Sequence, residues 1–130
     1  MQLRFWFAVL AVSLGVVGLA LDFYVISGTM IATPDNPVPR SLGSTLIYFW
    51  SFLTHLANLG LVLVYLADLT GWRVLGWFLH PVTVTGMAGV AALVMLYFHF
   101  MLSPLYQFSG ALLYANYILH YVAPILFLTW

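Results

Sequence analysis

Residues 5–26 read FWFAVLAVSLGVVGLALDFYVI, with Asp22 as the one charged side chain. At about 1.5 Å of rise per residue, this run covers roughly 33 Å, enough to cross a hydrocarbon core about 30 Å thick. Arg4 gives a positive start, and Gly18-Leu19-Ala20 carries the small residues of a leader cleavage site. The apolar stretch nevertheless continues to Ile26, which points to a retained helix rather than a cleaved leader. Ser13, Gly15 and Gly18 are expected to form a small-residue packing face.

Three more runs follow. Pro34, Pro37 and Pro39 bar a continuous helix between Ser27 and Gly43. A second helix is predicted over about 44–67, ending at Asp68-Leu69-Thr70-Gly71. In residues 71–80, Trp72 and Trp77 bracket Arg73, a pattern suited to the headgroup level. His80-Pro81 marks the break before a third helix at about 82–101, Ser103-Pro104 opens a turn, and a fourth helix covers about 110–129. The fold expected is an all-α, integral-membrane four-helix bundle, with residues 1–130 as a single transmembrane domain.

Composition agrees. The 130 residues are 65% hydrophobic and 5% charged, whereas soluble domains carry about a quarter charged residues. The six charges are Arg4, Arg40 and Arg73 against Asp22, Asp35 and Asp68. There is no basic patch of the kind nucleic acid requires. Cysteine is absent, which excludes disulfides, thiolate metal sites and Cys nucleophiles. Membrane lipids are the expected partners, and neither a cofactor nor a metal ion is expected in the favoured reading. Arg4 and Arg73 fall on one side of the bundle and Arg40 on the other. That bias favours a cytoplasmic amino terminus, in what is expected to be a bacterial inner membrane.

Reactive polar residues interrupt two of the runs. Thr54 lies ten residues past Ser44, and His120 ten residues past Gly110. Each therefore sits about 15 Å along its helix, near mid-membrane. In a continuous helix, Ser51, Thr54, His55 and Asn58 share one face, while Asn116, His120 and Pro124 stack at i, i+4, i+8. Hydrocarbon offers no hydrogen bonds, so these faces should turn inward. Each residue also has a plain structural role open to it. Thr54 can bond the Trp50 carbonyl one turn back, Asn58 can join helices and His120 can be a satisfied core histidine. Asp22, near its helix end, is expected to reach water. His80 and His99 are expected at the interfaces, and Met87 and Met95 in the core or against lipid.

Ser51-Phe52-Leu53-Thr54-His55-Leu56-Ala57-Asn58-Leu59 resembles the Tyr/Phe-x-Thr…Asn-Leu segment of the androgen-induced-gene family, which includes the androgen-dependent TFPI-regulating protein and shorter bacterial relatives. Leu119-His120-Tyr121-Val122-Ala123-Pro124 resembles that family's His-x-x-x-Pro segment, and Val82-Thr83-Val84-Thr85-Gly86 is similar to a helix-three stretch of its bacterial members. The animal members are multi-pass hydrolases of lipid esters that use an intramembrane threonine nucleophile and a histidine. The resemblance, over about residues 44–128, implies those roles for Thr54 and His120. Family members usually have about six spans where this sequence holds four, so it also implies a shortened or minimal member.

Three readings stand at this point. In a lipid-ester hydrolase, Thr54 attacks, His120 takes its proton, Asn58 donates to the oxyanion and Asn116 orients the imidazole. In a haem carrier, His55 and His120 are the axial pair, although Thr54 and His55 point about 100° apart on a helix. In a packing or lipid-binding subunit, the same polar residues only tie helices together.

Overall fold

The computed structural model describes residues 2–130. The fold is an all-α bundle, and four of its helical stretches are long and apolar enough to cross a membrane: Gln2–Met30, Leu53–Thr70, Pro81–Leu102 and Gly110–Thr129. This is the architecture of a multi-pass membrane protein. Large apolar side chains such as Trp6, Leu10, Val82, Leu93 and Ile125 cover the outside, where a bilayer solvates them.

Helix α1 runs Gln2–Ser27, α2 Leu42–Trp50, α3 Leu53–Thr70, α4 Pro81–Tyr97, α5 Gly110–Tyr117 and α6 Ala123–Thr129. Single π turns extend α4 through Phe98–Leu102 and join α5 to α6 through Ile118–Val122. A 3₁₀ segment, Arg73–Leu79, occupies the stretch expected at the interface. Helix α3 stops at Gly71, whose φ of 62° is left-handed and whose N–H caps the Ala67 carbonyl. At His80-Pro81, the imidazole accepts the Val82 N–H while Pro81 opens α4.

Around the bundle, α1 packs on α3 and α5, and α4 packs on α3 and α6. Close approach depends on α1, where Ala8, Ala11, Gly15 and Gly18 are buried at three- and four-residue spacing. A Cβ built on Gly15 would come within 2.6 Å of Val62, and one on Gly18 within 2.7 Å of Ile118. Ser13 is not on this face; it is exposed and bonds the Val9 carbonyl. At one end of the bundle, Ala8, Ala11, Leu61, Val64, Tyr65 and Phe127 build an apolar core. The exposed Arg4 pairs with Asp68 at 2.9 Å beside that core. The polar residues gather toward the other end.

The main departure from expectation lies in the second span. The helix predicted over 44–67 is broken at Ser51-Phe52, where Phe52 is extended (φ −82°, ψ 128°). No proline or glycine lies there. Instead, side chains take the carbonyls that would continue the ladder. Ser51 Oγ donates to the Tyr48 carbonyl at 2.7 Å, and His55 Nδ1 donates to the Phe49 carbonyl. A side chain inserted into the i→i−4 ladder is a recognised cause of a sharp kink. Ser51 consequently sits outside α3 and does not share a helix face with Thr54, His55 and Asn58.

Candidate functional site

Thr54 occupies the first turn of α3, and His120 lies in the π turn between α5 and α6. Thr54 Oγ1 and His120 Nε2 are 3.1 Å apart. The other ring nitrogen, Nδ1, lies 3.1 Å from the Asn116 backbone carbonyl, which can only accept. Nδ1 therefore carries the proton and Nε2 is bare, so the threonine hydroxyl donates to it. This is the tautomer a general base needs. The group that fixes this tautomer is a main-chain carbonyl one turn back. The imidazole is buried and stacks on Phe98, with ring centroids 3.8 Å apart and planes 20° apart.

Beside the pair is a cavity of about 290 Å³ lined by Phe52, Leu53, Thr54, Leu93, Val94, Tyr97, Phe98, Leu102 and His120. Thr54, His120 and Tyr97 carry the only polar side chains in its lining. Leu53, Leu93 and Tyr97 are each more than half exposed on the outer surface, so the cavity opens sideways between the start of α3 and the end of α4. A smaller cavity of about 160 Å³, with Ser103, Tyr106, Asn116 and Tyr117 in its wall, lies behind Phe98. His99 stands next to it, its Nδ1 3.1 Å from the Tyr121 hydroxyl.

The helix break has a chemical consequence. The amides of Leu53 and Thr54 open α3 and donate to no backbone carbonyl. Such orphan donors are inherent to a helix start. Here they belong to the residue bearing the hydroxyl and its neighbour, at the wall of the cavity.

Two expected roles are corrected. Asn58 is no oxyanion donor, because its amide group donates at 2.9 Å to both the Thr54 and the Leu119 carbonyls. The need for it comes from Pro124. The Ala123 N–H bonds Ile118, five residues back, and Pro124 has no N–H to give. Neither an α nor a π register then supplies the Leu119 carbonyl, so Asn58 satisfies it from α3. Asn116 does contact His120, but through its backbone carbonyl; its side-chain amide donates to Leu112 at 2.8 Å. Thr54 bonds His120 rather than Trp50, since the break removes the helical relation between residues 50 and 54.

Nor do His55 and His120 form an axial pair for haem. The His55 ring donates to Phe49 through Nδ1 and meets Asp22 through Nε2, and it stacks on the Phe49 ring at 3.9 Å. With His120 engaged at both nitrogens too, neither ring has one free for iron. Among the described residues, no three His, Cys, Asp or Glu side chains cluster as metal ligands.

Asp22 was expected to reach water and instead hydrogen-bonds His55 between α1 and α3. Sequence reasoning passed over this contact. The available signal was that Asp22 is the one charge within residues 5–26, and intramembrane carboxylates rarely lack a partner. No family model, curated protein or solved structure matches this chain.

Proposed function

We propose that the protein is a membrane-embedded hydrolase of lipid esters, with Thr54 as nucleophile and His120 as base. The observation that carries this is the 3.1 Å contact between Thr54 Oγ1 and a His120 nitrogen left unprotonated by the Asn116 carbonyl, on the wall of an apolar cavity. The resemblance to the androgen-induced-gene family assigns the same two residues the same roles.

In the proposed reaction, the Thr54 oxygen attacks the ester carbonyl as its proton passes to His120 Nε2. The carbonyl oxygen becomes an oxyanion that the free Leu53 and Thr54 amides can receive. When the C–O bond to the leaving alcohol breaks, the His120 proton goes to that alcohol. Water, deprotonated by His120, then releases the acid and restores the threonine hydroxyl. The substrate is a lipid already dissolved in the bilayer. The cavity's side opening admits an acyl chain between Leu53, Leu93 and Tyr97 without drawing it into water. We place the protein in a bacterial inner membrane with its amino terminus in the cytoplasm, on the arginine bias of the loops.

A fluorophosphonate probe applied to the purified protein in lipid nanodiscs tests the chemistry. Labelling of the wild type that disappears in both Thr54→Val and His120→Ala is the expected result. A wild type that takes no label and turns over no lipid ester, or labelling that persists in Thr54→Val, defeats the proposal.

A further inference from the structure

The second span is broken where the proposed chemistry needs donors, and one side chain maintains the break. In an uninterrupted helix, the Phe49 carbonyl would accept the Leu53 N–H. Here it accepts the His55 imidazole, together with the Phe52 N–H at a long 3.5 Å. His55 thus stands in for a backbone donor, and the Leu53 amide is left without a backbone acceptor at a residue that lines the cavity. Thr54, next along, is released with it. The Phe49 ring, itself buried, stacks nearly parallel on the imidazole, 11° from coplanar.

The ring is held from its far side. His55 Nε2 meets the Asp22 carboxylate of α1, and the two side chains are 4% and 13% exposed. Both of its nitrogens face acceptors, a carbonyl and a carboxylate. The pair therefore holds two protons, one on Nδ1 and one between Nε2 and Asp22. Whichever partner carries the second proton, the pair is neutral as a whole, which lowers the cost of placing it in hydrocarbon. Three elements converge on this one ring: α1 through Asp22, α2 through Phe49 and α3 through His55.

Taking Thr54 as the nucleophile proposed above, we infer that Asp22 and His55 are a positioning pair. They hold the second span open at Ser51-Phe52 and so keep the Leu53 and Thr54 amides free to receive the oxyanion. Neither touches the reacting atoms. They act through the backbone.

The chain contains no cysteine, so spin labels can be placed at Leu46→Cys in α2 and Leu56→Cys in α3, both exposed and on either side of the break. Pulsed dipolar spectroscopy in nanodiscs then reads the break directly. In His55→Leu, the label distance is expected to shift toward that of a continuous helix, where the two Cα atoms are about 15 Å apart along the axis. Ester turnover is expected to lose about 10²-fold or more in kcat with KM changed only a few-fold, the signature of lost oxyanion stabilisation. Asp22→Leu, which leaves the imidazole in place, should shift both readouts in the same direction. Asp22→Asn, whose amide N–H can donate to the then-bare Nε2, should keep the wild-type distance and lose less kcat than Asp22→Leu. An unchanged label distance in both His55→Leu and Asp22→Leu overturns the inference, as does a closed break with full kcat. The distance measurement needs no substrate, so it decides the role of the pair even if no ester is hydrolysed.

Discussion

The side-chain amide of Asn58 reaches from α3 to the Leu119 carbonyl at 2.9 Å and fills a hydrogen-bonding vacancy that Pro124 creates five residues further along. A proline in one span has thus fixed the need for an asparagine in another. The π turn at Ile118–Val122, the proline and the asparagine form one unit, and His120 lies within that turn.

This relation predicts a coupling. Asn58→Leu leaves a buried carbonyl without a donor, at a cost of about 1–3 kcal/mol. Pro124→Ala restores a backbone N–H, so the same Asn58 substitution should cost measurably less in that background. A double-mutant cycle by denaturant titration in micelles reads the difference. Equal costs in the two backgrounds would show that the carbonyl has another donor.

Thr54 separates chemistry from packing. Thr54→Val keeps the shape and removes the hydroxyl, leaving His120 Nε2 without its partner. Stability should fall by about 1 kcal/mol, while ester turnover drops by at least about 10³-fold. Thr54→Ser retains an attacking oxygen and should keep probe labelling, measured as rate of adduct formation by intact mass.

The side opening predicts a size effect. Leu93→Trp adds bulk at the cavity mouth, away from Thr54 and His120 in sequence but lining the same space. Turnover of long-chain esters should fall more steeply than that of short-chain ones in the same nanodiscs. Equal loss across chain lengths would place substrate entry elsewhere.

Two glycines should respond differently to one added methyl. Gly18→Ala drives a Cβ to 2.7 Å from Ile118 and 2.8 Å from Leu119, in a packed contact between α1 and the His120 segment. Overpacking of this kind costs about 1–3 kcal/mol. Gly60→Ala meets the Met87 methyl at 2.5 Å, but that is the end of a flexible side chain that can turn away. Its cost should be the smaller, by thermal unfolding of both variants.

The pair at the other end of the bundle should matter little. Arg4 and Asp68 bond at 2.9 Å, yet the arginine side chain is 63% exposed. Such pairs contribute about 0–1 kcal/mol and weaken with salt. Asp68→Asn is expected to change the unfolding midpoint only slightly, and less at high ionic strength.

How much was legible depended on how local the cause was. The four apolar runs are long enough that hydropathy alone places them, and His80-Pro81 and Gly71 punctuate them through their own backbone chemistry. Counting residues along two runs put Thr54 and His120 near each other, and they do meet at 3.1 Å, although Thr54 opens its span instead of lying at its middle. The same counting failed for Ser51, since it assumed an unbroken helix. It also misassigned Asn58, whose task is set by a carbonyl sixty-one residues away.

From its composition and periodicity alone, the chain was committed to an all-α bundle with four apolar spans, because burying or lipid-solvating apolar surface and closing backbone hydrogen bonds within each segment are constraints that each run meets by itself. The break at Ser51-Phe52, the bare nitrogen on His120 and the union of Asp22 with His55 were settled only when separate helices packed. Each depends on a donor or acceptor brought in from another turn or another span, and no local pattern of residues specifies which partner arrives.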